Sequence, residues 1–546
     1  MRNVAAAATL AGLAACGGSG GDGDGGSDTP PPPPAGTGIS RADASRFLAQ
    51  ASMGATADQI ARVQAVGYEG WLDEQFAMPP TTSRWDWMVS KLFDAAAYKN
   101  TDSGFDPAAW RKLVASPDTL RQRVTLALSE LAVVGLDGLV GGGWRAFSGA
   151  AYLDLLEANA FGNYRTLLQQ ISASAPMGEY LTFRGNRKAN ATTGAMPDEN
   201  YARELMQLFT IGLVRLEPDG TPTLVAGKPQ ETYTQDDITG LARVFTGWDY
   251  DLAGADTSTP AFKQRPMAQV AGRHETGAKT FLGTTIPAGT DGARSLQLAL
   301  DAIYAHPNVA PFVGRQLVQR LVCSNPSPAY VRRVAAVFDN DGSGIKGNLR
   351  AVLKAILLDE EARGSASLAD ARFGKLREPV LRFTAWARAF DATSPGDTWA
   401  IGNTSDPATR LGQSPLRSPS VFNFFRPGYV PPGSAIADAS LVAPEFQITN
   451  ESTVVGYLNF MQRLIGSGIG DVKADTRAWL PRADDVPALV EELNVVLAAG
   501  RLASGTQQTI RDAVGGMPGG TDAARQNRVN AAVLLVLASP EFIVQK

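Results

Sequence analysis

The sequence has very little histidine and cysteine and almost no net charge. Its 546 residues contain only two of each, His274, His306, Cys16 and Cys323. These four residues exclude a four-cysteine metal site, a three-histidine metal site and a disulfide framework. The 50 Lys and Arg residues against 54 Asp and Glu residues leave a net charge of −4, which is too balanced for a nucleic-acid binder held by charge. We therefore expect no metal, no cofactor and no nucleic-acid partner.

Long hydrophobic runs are also missing, because no stretch reaches the ~20 apolar residues of a membrane-spanning helix. A shorter uncharged run, residues 4–15, follows the basic start Met1-Arg2-Asn3. This order is typical of a secretory signal. The run ends at LAACG (residues 13–17), which resembles the bacterial lipobox. The resemblance implies cleavage before Cys16 and acylation of Cys16, and the alternatives are an ordinary secreted protein or a wrongly assigned start of the chain.

The next segment has the composition of a tether. Gly, Ser and Asp dominate residues 17–28, and five prolines follow at residues 30–34. Such a chain is flexible at first and then a stiff polyproline spacer. We predict a lipoprotein-type signal peptide at 1–15, a tether at 16–39 and an α-helical domain at 40–546. By resemblance to lipoprotein sorting, Gly17 after the cysteine favours the outer membrane.

Apolar residues recur at helical spacing from Ser40 onward, and alternating strand patterns are scarce. The pattern predicts a mainly α fold: one large multi-helix body with long loops and at most short β-hairpins. Regular helices are expected at 117–134, 164–173, 309–322 and 486–498, and a hairpin is expected at 212–223. Two segments rich in Gly, Pro and Ser, 249–292 and 391–440, are either lobe boundaries or long surface loops.

Four segments carry a family resemblance. They are FLAQASMGAT (47–56), NYARELMQLFTIG (200–212) with YTQDDI (233–238) and LARVFTGW (241–248), HETGAKTFLG (274–283), and LGQSPLRSPSVFNFFRPGY (411–429). Together they resemble the bacterial domain of unknown function (DUF) 1800 family from about residue 41 to the C-terminus. The resemblance implies a secreted protein, often encoded beside sulfatase-like members of the DUF1501 family, and it provides no catalytic residues.

The second segment places three polar residues on one helix face. Asn200, Arg203 and Glu204 are three and four positions apart, so their side chains are neighbours. Glu204 is a candidate general acid or base, with Asn200 and Arg203 as substrate-binding groups. The alternative is an Arg-Glu network that locks helices together.

Four further residues are candidates within the same family-matching segments. Asp237 could be an acid or base, but it also suits a helix N-terminus after Thr234. His274 could relay protons, and its alternative is a bond to the backbone. Lys279 could bind an anionic substrate, and Trp248 could stack on a sugar or pack in the core. The segment 411–429 is either the wall of a groove or a coil wrapped over helices.

Two functions are compatible with these patterns. The first is a non-enzymatic envelope component that works with a sulfatase-like partner on a surface polymer. The second is a cofactor-independent hydrolase or lyase of an extracellular polysaccharide, with Glu204, Asp237 and His274 as its catalytic groups. The second requires those three side chains to meet in one pocket.

Overall fold

Side chains that cap helix N-termini and apolar residues at helical spacing explain the mainly helical structure of this chain. The computed structural model describes residues 37–546, and the predicted signal peptide, Cys16 and the tether as far as Gly36 lie outside that range. Within the described residues there are 23 α-helices and a few short two-stranded sheets, which confirms the mainly α fold. Thr37–Lys546 forms one compact unit around a continuous hydrophobic core.

The first eight helices precede the second family-matching segment. They are α1 (Arg41–Ala51), α2 (Ala57–Ala77), α3 (Arg84–Ser90), α4 (Phe105–Ala115), α5 (Thr119–Leu131), α6 (Arg145–Ala158), α7 (Tyr164–Ala173) and α8 (Ala175–Tyr180). Ser40 begins the first of them, because its hydroxyl accepts a hydrogen bond from the backbone N–H of Asp43.

The middle of the chain contains ten helices, several of them only one turn long. They are α9 (Asn200–Glu204), α10 (Gln235–Ala242), α11 (Gly292–Tyr304), α12 (Val309–Leu321), α13 (Pro328–Asp339), α14 (Leu349–Leu357), α15 (Glu360–Arg363), α16 (Ser365–Ala369), α17 (Pro379–Ala389) and α18 (Ala435–Asp438). The last five are α19 (Glu451–Ser467), α20 (Val486–Ala498), α21 (Ser504–Gly515), α22 (Asp522–Ala538) and α23 (Pro540–Ile543).

The strands form four antiparallel pairs. They are β1 (Leu224–Val225) with β2 (Lys228–Pro229), β3 (Trp248–Asp249) with β4 (Ala268–Gln269), β5 (Lys279–Phe281) with β6 (Thr284–Ile286), and β7 (Lys375–Leu376) with β8 (Val544–Gln545). The predicted hairpin contains a bridge between Leu216 and Pro222. The pairing of Lys375 with Gln545 fixes the chain just before α17.

The second family-matching segment changes its helix type. After α9 the chain continues as a π-helix over Leu205–Thr210, where the Thr210 hydroxyl donates to the carbonyl of Leu205 at 2.6 Å. Leu208, within this wider turn, is half-buried, while its neighbour Phe209 is fully buried. π-turns of this kind occur frequently at functional sites. No helix among residues 37–546 has both the length and the hydrophobicity needed to cross a membrane.

Candidate acid-base site in a groove

The candidate acid Glu204 is buried and isolated. Its carboxylate forms no hydrogen bond with any described residue, and its Oε2 atom is sealed from solvent. Burial raises the pKa of Glu204, and the charge of Arg203 partly opposes this increase. Arg203 itself pairs with Glu199 at 3.3 Å, and the side chain of Asn200 donates to the Thr182 hydroxyl at 3.4 Å.

Asp237 and His274 are both engaged in local backbone contacts. Asp237 closes a capping box at the start of α10 with Thr234, and its other oxygen accepts a 2.6 Å hydrogen bond from the N–H of Leu282. The His274 ring is 2% exposed, and its Nδ1 lies 2.9 Å from the carbonyl of Thr246. Burial lowers the pKa of His274.

The remaining sequence candidates also point into the protein. Lys279 is fully buried, its ammonium group lies 3.4 Å from the carbonyl of Gly277, and burial lowers its pKa. Trp248 is 5% exposed and donates to the carbonyl of Val244. Among the described residues no hydrogen bond or ion pair joins any two of Glu204, Asp237 and His274. Their catalytic roles stay predictions, and the polar groups that share a cavity lie elsewhere.

A groove runs along one face of α12, and we call it the α12 groove. Its larger part has a volume of about 440 Å³, and an adjoining smaller part has about 260 Å³. Phe312, Gln316, Gly212 and Leu213 line both parts. Residues 421–428 of the fourth family-matching segment supply one wall of the larger part through Val421, Phe422, Arg426, Pro427 and Gly428. Such an apolar cleft with few polar groups is typical of a binding site.

The side of the groove that follows the π-helix is fixed by Asn308. Its amide Nδ2 donates to the carbonyls of Ile211 and Val214, both at 2.8 Å, and its Oδ1 accepts from the N–H of Leu216. Gly212 lies between these contacts with a φ of +71°. A Cβ on Gly212 would lie 2.7 Å from the Phe312 ring, so only glycine fits there.

Two neighbouring buried glutamates lie at this groove. Glu130, near the end of α5, lines the larger part together with Arg320. Neither of its carboxyl oxygens forms a hydrogen bond with a described residue, and the neighbouring acidic side chain is that of the fully buried Glu378, the residue that precedes α17. Gln413 holds Glu378 in place, because its Nε2 donates to Glu378 Oε2 at 2.6 Å while its Oε1 accepts from the N–H of Val380. We call Glu130 and Glu378 the glutamate dyad.

Buried cations surround the glutamate dyad. Arg320 Nε lies 3.7 Å from Glu130 Oε2, and Arg123 Nη1 lies 3.8 Å from Glu378 Oε1. Lys375 binds Glu445 at 2.9 Å and the carbonyl of Arg320 at 2.8 Å. All six side chains are less than a tenth exposed. Three buried cations therefore lie among three buried glutamates.

The pKa values of the two members of the dyad are shifted in opposite directions. Burial and the adjacent charge of Glu378 raise the pKa of Glu130 well above its usual range. Burial acts against ionisation of Glu378 as well, but the charges of Lys375 and Arg123 and the hydrogen bond from Gln413 lower its pKa. Glu130 is therefore the member of the dyad that is more easily protonated, and Glu378 is the one that is more easily ionised. Carboxyl pairs whose pKa values are shifted apart in this way can serve as acid and base in enzyme sites.

A small second cavity adjoins Glu130 on the side of the fourth family-matching segment. Its volume is about 20 Å³, which is enough for one water molecule. Ser414 Oγ and Asn423 Nδ2 line it and are buried without a hydrogen-bond partner among the described residues. Asn423 also has a φ of +61°, a strained conformation that is common at functional sites. The cavity therefore offers polar atoms directly beside the dyad.

The sequence profile of the family described as "Protein of unknown function (DUF1800)" matches residues 46–544. The chain belongs to the DUF1800 family. This match confirms the resemblance stated from the four segments. No curated protein and no solved structure matches the chain.

In this DUF1800 protein, sequence analysis missed Glu130 and Glu378. Glu130 directly precedes the apolar residues 131–134, and Glu378 directly precedes Pro379 at a helix start. A carboxylate inside an apolar run was the available signal for Glu130, since charged residues are almost never fully buried unless they are paired. The wall formed by residues 421–428 was one of the two alternatives raised for that segment, and the structure shows it.

Proposed function

We propose that this protein uses the glutamate dyad as an acid-base catalyst on a polymer segment bound in the α12 groove. The observation that carries the proposal is a pair of neighbouring buried carboxyls with opposite pKa shifts, of which Glu130 lines a groove of about 440 Å³. The raised pKa of Glu130 suits a general acid, and the lowered pKa of the adjacent Glu378 suits a group that recovers the proton.

The position of the dyad favours one-sided chemistry. Glycosidases that use two carboxyl groups on either side of the bond separate those groups by ~5–10 Å. Glu378 is fully buried and only Glu130 lines the groove, so the dyad acts from one side of the polymer. In a hydrolysis, Glu130 protonates the leaving oxygen, the hydroxyl of water joins the carbon, and the second proton of the water returns to the dyad. In an elimination, the returning proton comes from the carbon next to the broken bond.

The test is turnover by the full-length protein on a panel of extracellular polysaccharides, measured as new chain ends. We expect Glu130→Gln to lower turnover about 10²–10⁴-fold, the usual contribution of a general acid. The variant amide has nearly the same size as the carboxyl, and an unchanged melting temperature is the control for folding. Loss of turnover in Glu204→Gln with full turnover in Glu130→Gln would favour the acid predicted from the sequence instead.

The cellular setting of the proposal comes from the sequence. We propose an exported protein anchored by acylated Cys16 to the cell envelope, with the outer membrane favoured, where a DUF1501 sulfatase-like protein acts on the same polymer. The signal-like run at residues 4–15 and the tether composition support export. Affinity purification of the tagged protein from solubilised membranes should recover the sulfatase-like protein. Recovery of no envelope protein would count against this partnership.

If no tested polymer is cut, the groove still supports the non-enzymatic alternative. A binding or assembly component needs the groove and its walls, but it does not need Glu130 as a proton donor. Polymer binding that is equal in the wild type and in Glu130→Gln, without turnover in either, would favour that alternative.

A further inference from the structure

Two arginines along the α12 groove have no acidic partner. The half-buried Arg315 of α12 lines the smaller part, and the exposed Arg426 lines the larger part. Among the described residues neither side chain donates a hydrogen bond or pairs with a carboxylate, and Arg426 lies over the Phe422 ring at 4.4 Å. By contrast, Arg333 and Arg417 each contact two or more carboxylates.

The groove is therefore positively charged. Arg320 adds a third cation in the larger part, where its Nη2 donates to the carbonyl of Glu130. Among the described residues that line the two parts, Glu130 is the one acidic residue; it lines only the larger part, and burial raises its pKa. Arg315 is half-buried, and burial lowers its pKa with no carboxylate to oppose the effect. A half-buried cation without a counter-ion favours binding of an anion.

We infer that the α12 groove binds an extended polyanionic polysaccharide, with Arg315 and Arg426 contacting successive negative groups. The two arginines lie in adjoining parts of one groove, which suits a chain that carries repeated charges rather than a single small anion. The apolar surfaces of Phe312 and Phe422 suit the faces of sugar rings between those charges. The negative groups are uronate carboxylates or sulfate esters, since guanidinium groups bind both. This inference rests on the proposed function and defines its substrate class.

The experiment measures binding by the full-length Glu130→Gln protein, which does not consume the ligand. The probes are polygalacturonate and dextran sulfate, which separate the two anionic groups, with neutral dextran and a single-stranded DNA oligomer as comparisons. We expect one anionic polysaccharide to bind best, with an affinity that falls as salt concentration rises. Arg315→Gln and Arg426→Gln should each weaken its binding about ten-fold.

The chain supplies a matched control. Arg463 in α19 also lies over a phenyl ring, that of Phe460 at 5.7 Å, and has no acidic partner among the described residues, but it does not line the groove. Arg463→Gln should leave binding unchanged. Equal affinity for neutral dextran, stronger binding of the DNA oligomer, or unchanged binding in both groove variants would overturn the inference.

The two proposals fail in different ways. Glu130-dependent cleavage of a neutral polymer would support the proposed acid-base site and refute the inference that the substrate is a polyanion. Arginine-dependent binding of a polyanion that is never cleaved would support the inference that the groove binds a polyanion and refute the proposal that the dyad is a catalyst.

Discussion

Gly212 offers the most direct test of how the α12 groove is built. Replacing it with alanine should cost about 1–2 kcal/mol for a side chain at positive φ. The new Cβ would also lie 2.7 Å from the ring of Phe312, and crowding of this kind costs about 1–3 kcal/mol more. We therefore expect Gly212→Ala to lower the free energy of unfolding by about 2–5 kcal/mol.

A second glycine separates the two contributions. Gly227, in the turn between β1 and β2, has a φ of +77°, and a Cβ added there would meet no atom within 4 Å. Gly227→Ala should therefore cost only the backbone part, about 1–2 kcal/mol. The measurement is urea unfolding of the full-length protein, followed by tryptophan fluorescence.

The double variant with Phe312→Ala completes the test. Removing the Phe312 ring should abolish the crowding cost of Gly212→Ala, so the effects of the two substitutions on the free energy of unfolding should couple by about 1–3 kcal/mol. Gly212→Ala should also weaken polymer binding, because Phe312 lines both parts of the groove. Equal costs for Gly212→Ala and Gly227→Ala, with no coupling to Phe312, would show that the close approach does not shape the groove.

Three shorter predictions concern protons and thiols. Because folding raises the pKa of Glu130, its stabilising contribution is complete below the unfolded value near 4.5 and is lost as pH rises through the folded value. Urea midpoints should therefore fall with pH more steeply in the wild type than in Glu130→Gln, by at most ~1.4 kcal/mol per pH unit; parallel profiles would contradict the shift. Burial raises the pKa of Cys323 to about 12, so in Cys16→Ser a maleimide should label Cys323 only after unfolding, and rapid native labelling would contradict this. The wild type should also take up labelled fatty acid and stay in the membrane fraction, whereas Cys16→Ser should do neither. A wild type without label would indicate secretion without a lipid.

Local signals were enough to locate most helices. The predicted spans 164–173 and 486–498 coincide with α7 and α20, and 309–322 differs from α12 by one residue. Caps and apolar spacing act within a few residues of chain, so they can be recognised without the fold. The π-turn after Glu204 could not be recognised, because it depends on contacts such as that between the Tyr164 hydroxyl and the carbonyl of Phe209.

The site was harder to predict because its parts are distant in sequence. Glu130, Glu378 and Gln413 come from three separate segments and meet only through packing of α5, α17 and the loop that follows. The family-matching segments nevertheless contribute the walls, through Gly212 and residues 421–428. Sequence analysis found the segments that shape the groove. It missed the acid that lines the groove, because no sequence motif links two glutamates that are so far apart along the chain.

Binding and protonation should depend on each other in this groove. A negative group held by Arg426, which lines the same part of the groove as Glu130, would oppose ionisation of Glu130. By linkage, protonation of Glu130 must strengthen polymer binding by the same free energy with which the bound polymer favours protonation. The affinity for a polyanion should therefore rise as pH falls through the pKa of Glu130. In Glu130→Gln the affinity should be constant over the same range, because the amide does not titrate. A pH dependence that survives in this variant would assign the effect to another group and would separate the arginines from the dyad.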